Sequence, residues 1–284
     1  MNVSVLGAGT MGAGIAQACA TAGHAVTLFD AAEGAASAAH ERVRSALDRQ
    51  AEKGRMSPGE AADAAERITV ETRGLADAVA SADAVIEAVV EDDEVKRRVW
   101  AEVGQGAPRK ALLCTNTSSL SVTALGTASG RPEALCGLHF FVPAPIMPLV
   151  EVVRGEATTG DTLARAERLA ESLGKTPVRC EDRPGFLVNR LLIPYLNEAA
   201  TLADEGTSTP DDVDRAMTLG ANMPIGPLAL ADMVGLDVVL SVMESLHREF
   251  GDPRYRPAPV LRRMVRAGHL GRKRGRGFFE YGGT

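Results

Sequence analysis

Along the first two thirds of the chain, short unbroken apolar runs alternate with stretches whose apolar residues recur every three to four positions. Val3 to Leu6, Ala25 to Phe29, Ala84 to Val90, Ala111 to Thr115, Ala134 to Phe141 and Leu149 to Val153 have the length and composition of buried strands. IAQACATAG after the first run, and the charged stretch from about Asp92 to Val103 after the third, have helical spacing. Strands that are apolar on both faces need helices on both sides of the sheet, so the pattern predicts an α/β, doubly wound domain. Residues 33–66 read as two helices broken at KGRMSPGE, where Ser57, Pro58 and Glu60 make a capping box with proline at the first helical position. This pair is expected to make an excursion off the sheet.

Beyond Cys180 the alternation stops. EDRPGF reads as a linker, and Phe186 to Asp204, Pro210 to Leu219, Pro227 to Phe250 and Pro259 to Ala267 read as helices, with Thr209 placed to cap the second. The one strand-like piece is the short apolar tail Gly277 to Tyr281. The 284 residues are therefore expected to divide into a sheet domain, 1–182, and an all-helical domain, 183–284.

The first strand runs directly into GAGTMG, and a helix follows at once. GxGxxG alone is weak evidence, but strand, tight turn and helix are the context that a dinucleotide-binding loop requires. Gly7 makes the turn, Gly9 lets a pyrophosphate approach the backbone, and Gly12 packs the helix on the strand. Thr10 and Met11, between them, belong to the same cofactor-binding loop. Asp30 ends the second strand eighteen residues past Gly12, where a ribose-binding acid belongs. Its carboxylate can accept from both adenosine ribose hydroxyls and would repel a 2′-phosphate, while Ala31, Ala32 and Glu33 supply no arginine to neutralise one. This Rossmann-type half is expected to take NAD rather than NADP.

Composition narrows the partners. With 45% hydrophobic and 24% charged residues the chain has ordinary soluble character, and a net charge of -6 argues against a general nucleic-acid binder, which needs a basic surface. The basic run GRKRGRG near the end is read as a solvated or interface loop. No apolar run reaches the roughly 18 to 20 residues that span a bilayer, and MNVSVLGAG lacks the cationic start of a secretory signal, so a cytoplasmic protein without membrane contact is expected. Cys19, Cys114, Cys136 and Cys180 have no metal-ligand spacing and read as reduced, mostly buried thiols.

The stretch GLHFFVPAPIMPLVEV, 137–152, holds one histidine, His139, and one carboxylate, Glu151. By themselves these fit a core histidine and a strand end as readily as a catalytic pair. With GAGTMGAGIAQ, the VVED…K stretch from Val89 to Lys96, TNTSSLSVT, RPGFLVNRLLIPYLNEA, DDVDRAMTLGANMPIGPLAL, ADMVGLD and AGHLGRKRGRGFF, the picture changes. On these motifs the chain resembles the short-chain L-3-hydroxyacyl-CoA dehydrogenase family, including bacterial 3-hydroxybutyryl-CoA dehydrogenases, over nearly its full length.

The resemblance implies a catalytic set of Ser118, His139, Glu151 and Asn189 in a cleft between the domains. His139 would take the alcohol proton, Glu151 would orient the imidazole, Ser118 would bond the reacting oxygen, and Asn189 would hold an oxygen of the substrate or orient the nicotinamide-facing side. Read without the resemblance, Ser118 could equally cap the helix that follows it. Glu91, Lys96 and Asn116 would lie near the nicotinamide and its ribose. Lys53 and Arg55, with Arg49, would meet the phosphates of an acyl-CoA. NAD as cofactor and a homodimer through the helical domain are implied in the same way. Three positions depart from the family's usual pattern: Val142 stands for Asn, Asp92 for Asn and Arg274 for Thr. Val142 keeps open a hydroxyacyl group carried by acyl carrier protein, as in polyketide extender-unit pathways, whose acidic face the same cations would meet. A non-enzymatic NAD-binding structural protein is a further alternative, and the intact four-residue set argues against it.

Overall fold

Val3, Val5 and Leu6 bury the first apolar run completely, and β1 (Asn2–Leu6) becomes a central strand. After it come α1 (Thr10–Thr21), β2 (Ala25–Phe29), α2 (Ala35–Glu52), α3 (Pro58–Glu66), β3 (Ile68–Val70), α4 (Leu75–Val79), β4 (Ala84–Glu87) and α5 (Asp93–Gly106). β5 (Leu112–Thr115), α6 (Val122–Ala128), β6 (Leu135–Phe140), β7 (Leu149–Arg154), α7 (Gly160–Ser172) and β8 (Thr176–Glu181) complete the unit Met1–Arg183. The computed structural model describes residues 1–282.

The strands form one sheet in the order β3-β2-β1-β4-β5-β6-β7-β8. Chain order reverses between β1 and β4, which is the switch point where doubly wound sheets leave a crevice at the strands' carboxyl ends. All neighbours are parallel except β6 and β7. The reason is length: residues 141–148 are too few for a crossover, which needs a dozen or more, so β7 must return beside β6 in the opposite direction. That return places His139 directly opposite Glu151.

Three expectations are corrected here. The run from Ala84 to Val90 stops being a strand at Glu87. β3 and β8 are additional strands: β3 has only three residues, and β8 pairs on one side only, with much of it exposed, so neither shows a long apolar run. The helices α2 and α3 do not leave the core. Ala36, Ala39, Val43 and Leu47 of α2 and Ala61, Ala64 and Ala65 of α3 are buried in the same cluster as Val3, Val26 and Leu28. The capping box forms as expected, Ser57 Oγ accepting from Glu60 N and Glu60 Oε2 from Ser57 N.

From Pro184 the second unit consists of α8 (Val188–Asp204), α9 (Pro210–Gly220), α10 (Pro227–Val234), α11 (Leu236–Phe250) and α12 (Pro259–Arg266) around Leu196, Leu228, Val239, Met243, Leu246 and Leu261. The single helix expected over Pro227 to Phe250 is two, parted at Gly235, whose φ of 103° belongs to glycine. Buried Asp232 accepts from Phe278 N, Phe279 N and Tyr281 Oη, each at 3.0 Å, and so pins the tail. Gly277 is needed there, since a Cβ would stand 1.9 Å from Asp232 Oδ1. In the basic run, Lys273 is ion-paired with Asp237. All four cysteines are free thiols, Cys114 and Cys136 facing each other across β5 and β6 at 3.9 Å. Among the described residues no helix is long and apolar enough to cross a membrane.

Candidate active site

At the carboxyl end of β6, His139 Nδ1 lies 2.7 Å from Glu151 Oε2. Glu151 is wholly buried and His139 is 4% exposed. A carboxylate accepts but does not donate, so the nitrogen facing it carries the proton and Nε2 is left with its lone pair. That lone pair faces Ser118 Oγ at 3.2 Å. The Phe141 ring packs 4.7 Å from the imidazole. The imidazole is therefore held in one tautomer between a carboxylate and a hydroxyl, and the antiparallel register of two strands fixes the histidine–glutamate pair.

Ser118 stands on the loop after β5. It does not cap the next helix, because Ser121 does so by accepting from Ala124 N. Glu91 Oε1 organises the loop, accepting from Thr117 Oγ1 at 2.6 Å, Ser118 N at 2.9 Å and Ser119 N at 3.1 Å. Burial opposes ionisation of Glu91, but the Lys96 ammonium, the Thr117 hydroxyl and the Ser118 amide outweigh it and hold the carboxyl below its ordinary value. Lys96 Nζ reaches Glu91 Oε2 at 3.1 Å and Glu87 Oε1 at 2.7 Å. Glu87 was missed by sequence reasoning. Its signal was a carboxylate ending an otherwise apolar strand. Asn116 Oδ1 accepts from Phe140 N at 2.9 Å and ties the loop to the end of β6. Asp92 caps α5 by accepting from Val95 N, a role that its Asn counterpart could also fill.

The glycine loop has the form its motif promised. Gly7 has φ +98°, and a Cβ there would lie 2.4 Å from Ala88 O; at Gly12 one would lie 1.8 Å from Gly7 O. Gly9 opens on empty space and begins α1 without any side-chain cap, so the first amides of α1, at Thr10 and Met11, are left for an anion. Asp30 Oδ2 accepts from Ala8 N at 2.7 Å, which holds the acid beside the loop. Arg42 reaches from α2 to Ala8 O at 3.0 Å, a cation at this loop that the residues just after Asp30 do not reveal. These residues fit a dinucleotide.

A cavity of about 460 Å³ lies between α1, the end of α2 and the segment after β6. Arg49, Lys53 and Arg55 line one side of it, and Pro145 and Ile146 another. Val142, three residues beyond the histidine, is 64% exposed. Asn189 lies in the helical unit, half-buried in the first turn of α8.

Residues 2–183 match the family model for the 3-hydroxyacyl-CoA dehydrogenase NAD binding domain, and residues 185–281 match the one for the 3-hydroxyacyl-CoA dehydrogenase C-terminal domain. The chain belongs to the 3-hydroxyacyl-CoA dehydrogenase family. It is 44% identical over 287 residues to a probable 3-hydroxybutyryl-CoA dehydrogenase of Deinococcus radiodurans, covering 99% of this chain and 100% of the relative. A probable 3-hydroxybutyryl-CoA dehydrogenase of Bacillus subtilis is 45% identical over 280 residues, 99% of this chain and 97% of its own. The crystal structure of (S)-3-hydroxybutyryl-CoA dehydrogenase from Ralstonia eutropha is similar with a TM-score of 0.95 at 44% identity, 99% of each chain being covered. The glycine loop and Asp30 are thus part of a 3-hydroxyacyl-CoA dehydrogenase NAD-binding domain.

Proposed function

We propose that the chain is an NAD-dependent dehydrogenase that interconverts a short 3-hydroxyacyl-CoA and its 3-oxoacyl-CoA. The observation that carries this reading is the imidazole of His139 held between Glu151 and Ser118, with its lone pair on the serine side. Hydride loss from a secondary alcohol leaves a cation unless the hydroxyl proton leaves too, so a base of near-neutral pKa must touch that oxygen. Nε2 takes the proton, and Glu151 stabilises the imidazolium formed, as in other histidine–acid pairs. Ser118 Oγ turns toward the same oxygen and fixes its direction. Bound NAD supplies the hydride acceptor. Asn189 is assigned to the substrate, and Glu91, Lys96 and Asn116 to the nicotinamide side of the dinucleotide. A homodimer through the helical unit belongs to the same proposal, and exposed Leu191, Leu219 and Met233 are apolar positions that a second copy could cover. Formation of NADH from 3-hydroxybutyryl-CoA tests the reading, and a chain that binds NADH but turns over no 3-hydroxyacyl thioester would overturn it.

The names of the relatives favour coenzyme A as carrier, and so does the cavity that Arg49, Lys53 and Arg55 line, because clustered cations suit the phosphates of a nucleotide. Lys53 and Arg55 are assigned to those phosphates. The double variant Lys53→Ala, Arg55→Ala is expected to raise KM for the CoA thioester about tenfold with kcat nearly unchanged, because binding far from the reacting carbon is lost equally in ground and transition states. The same hydroxyacyl group offered on acyl carrier protein decides between carriers. A large preference in kcat/KM for the protein-borne form would make Val142 a mark of that substrate.

Asp30 is expected to make NADH bind better than NADPH. Asp30→Ala removes the ribose acceptor and frees Ala8 N, so NADH affinity should fall about tenfold and the gap to NADPH should narrow, with Arg42 remaining as a cation at the loop. Fluorescence titration of both nucleotides measures this. Tighter NADPH binding by the unaltered protein would contradict the assignment.

A further inference from the structure

Glu87 and Lys96 face each other at 2.7 Å with both side chains wholly buried. Such a pair is weak evidence for stability, because the cost of desolvating two charges offsets their attraction and apolar residues of similar volume often serve a core as well. What the pair holds is more informative. Glu87 Oε2 accepts from Thr115 Oγ1 at 2.7 Å, and Oε1 accepts from Val89 N at 2.9 Å as well as from Lys96. The carboxylate is thus anchored at the ends of two neighbouring strands. Lys96 then holds one oxygen of Glu91 while the other oxygen gathers the loop of Thr117, Ser118 and Ser119.

We propose that Glu87 is a positioning residue for the dehydrogenase reaction, fixing Lys96 and hence Glu91 so that the Ser118 loop is held against His139. This rests on the proposed function. With Glu87 neutral, the ammonium keeps Glu91 as its charged partner and draws that carboxylate toward itself and away from the serine loop. Ser118 then no longer presents its hydroxyl steadily to Nε2. Loss of that donor removes a hydrogen bond that favours the neutral imidazole.

Glu87→Gln keeps the shape and removes the charge. It is expected to lower kcat about 10²-fold, the cost of misplacing a reacting group by a fraction of the distance it must hold. NADH binding, measured by fluorescence, should fall by less than about tenfold and so by less than kcat, because Gly9 and Asp30 still hold the adenosine end while only the nicotinamide side, where Glu91 and Lys96 are assigned, is disturbed. The acid limb of the kcat/KM profile should move to higher pH, as expected when one hydrogen bond to the neutral form is lost. Thr115→Val removes a single donor to Glu87 and leaves both charges in place. It should act in the same direction with about a tenfold fall in kcat, and it serves if Glu87→Gln does not fold. Unchanged kcat and an unmoved limb would overturn the proposal. NADH affinity falling as far as kcat, with the limb unmoved, would also do so, since the pair would then merely shape the cofactor site. Inactive His139→Gln in the same assays leaves the dehydrogenase reading standing in either case, whereas active His139→Gln removes that reading itself.

Discussion

His139→Gln is expected to lose about 10²- to 10⁴-fold in kcat while NADH binding stays within a few-fold, because the base acts on the alcohol and not on the dinucleotide. Glutamine is the informative replacement. It can still hydrogen-bond Glu151, whereas leucine would take a partner from a wholly buried carboxylate and cost about 3–5 kcal/mol of stability, confusing folding with chemistry. An amide has no proton-accepting nitrogen near neutral pH, so the hydroxyl proton of the substrate has nowhere to go. Steady-state kinetics with NADH titration on the same preparation measures both halves. Turnover within a few-fold of the unaltered enzyme would remove His139 from the mechanism.

Glu151→Gln is expected to lower kcat by up to about 10⁴-fold with the fold intact, the loss seen when the acid of a histidine–acid pair becomes an amide. The amide NH₂ can donate to Nδ1, which draws the ring proton to Nε2 and points a donor where the acceptor should be. The sign of the pH effect follows from the charge. A carboxylate beside the ring favours the imidazolium, so its loss should move the acid limb of kcat/KM to lower pH. Loosening of the Ser118 loop through Glu87 moves the limb the other way, so the two variants separate the two sides of the imidazole. Full activity with an unmoved profile would sink the role given to Glu151.

Much of the frame was legible along the chain because its causes are local. The strands read as apolar runs because helices bury both faces, and the capping box at Ser57 and Glu60 closes within a single turn. Gly7 and Gly12 announce themselves because any Cβ there would collide with backbone. Other elements leave no local signal. Three residues of β3 carry no periodicity, β8 pairs along one side only, and the split at Gly235 depends on a backbone angle that an otherwise continuous helical pattern conceals. The alanine stripes of α2 and α3 fit a helix lying on a sheet as well as one lying on its neighbour.

The α/β class of the first half, the helical character of the second, the glycine loop with its acid at Asp30 and, through its motifs, the identity of the residues around His139 are all written along the chain. Which of them meet depends on how the sheet is assembled. Glu151 faces His139 because a short loop forces β7 back against β6 in a register that puts them opposite each other. Arg42 reaches Ala8, and Glu87 holds Lys96 and Thr115, because sheet order brings strand ends together across tens of residues. Periodicity reports which face of an element is buried, since burial acts on each element separately. Partnership between charges depends on register and strand order, which are properties of the whole sheet, and no stretch of the chain carries them alone.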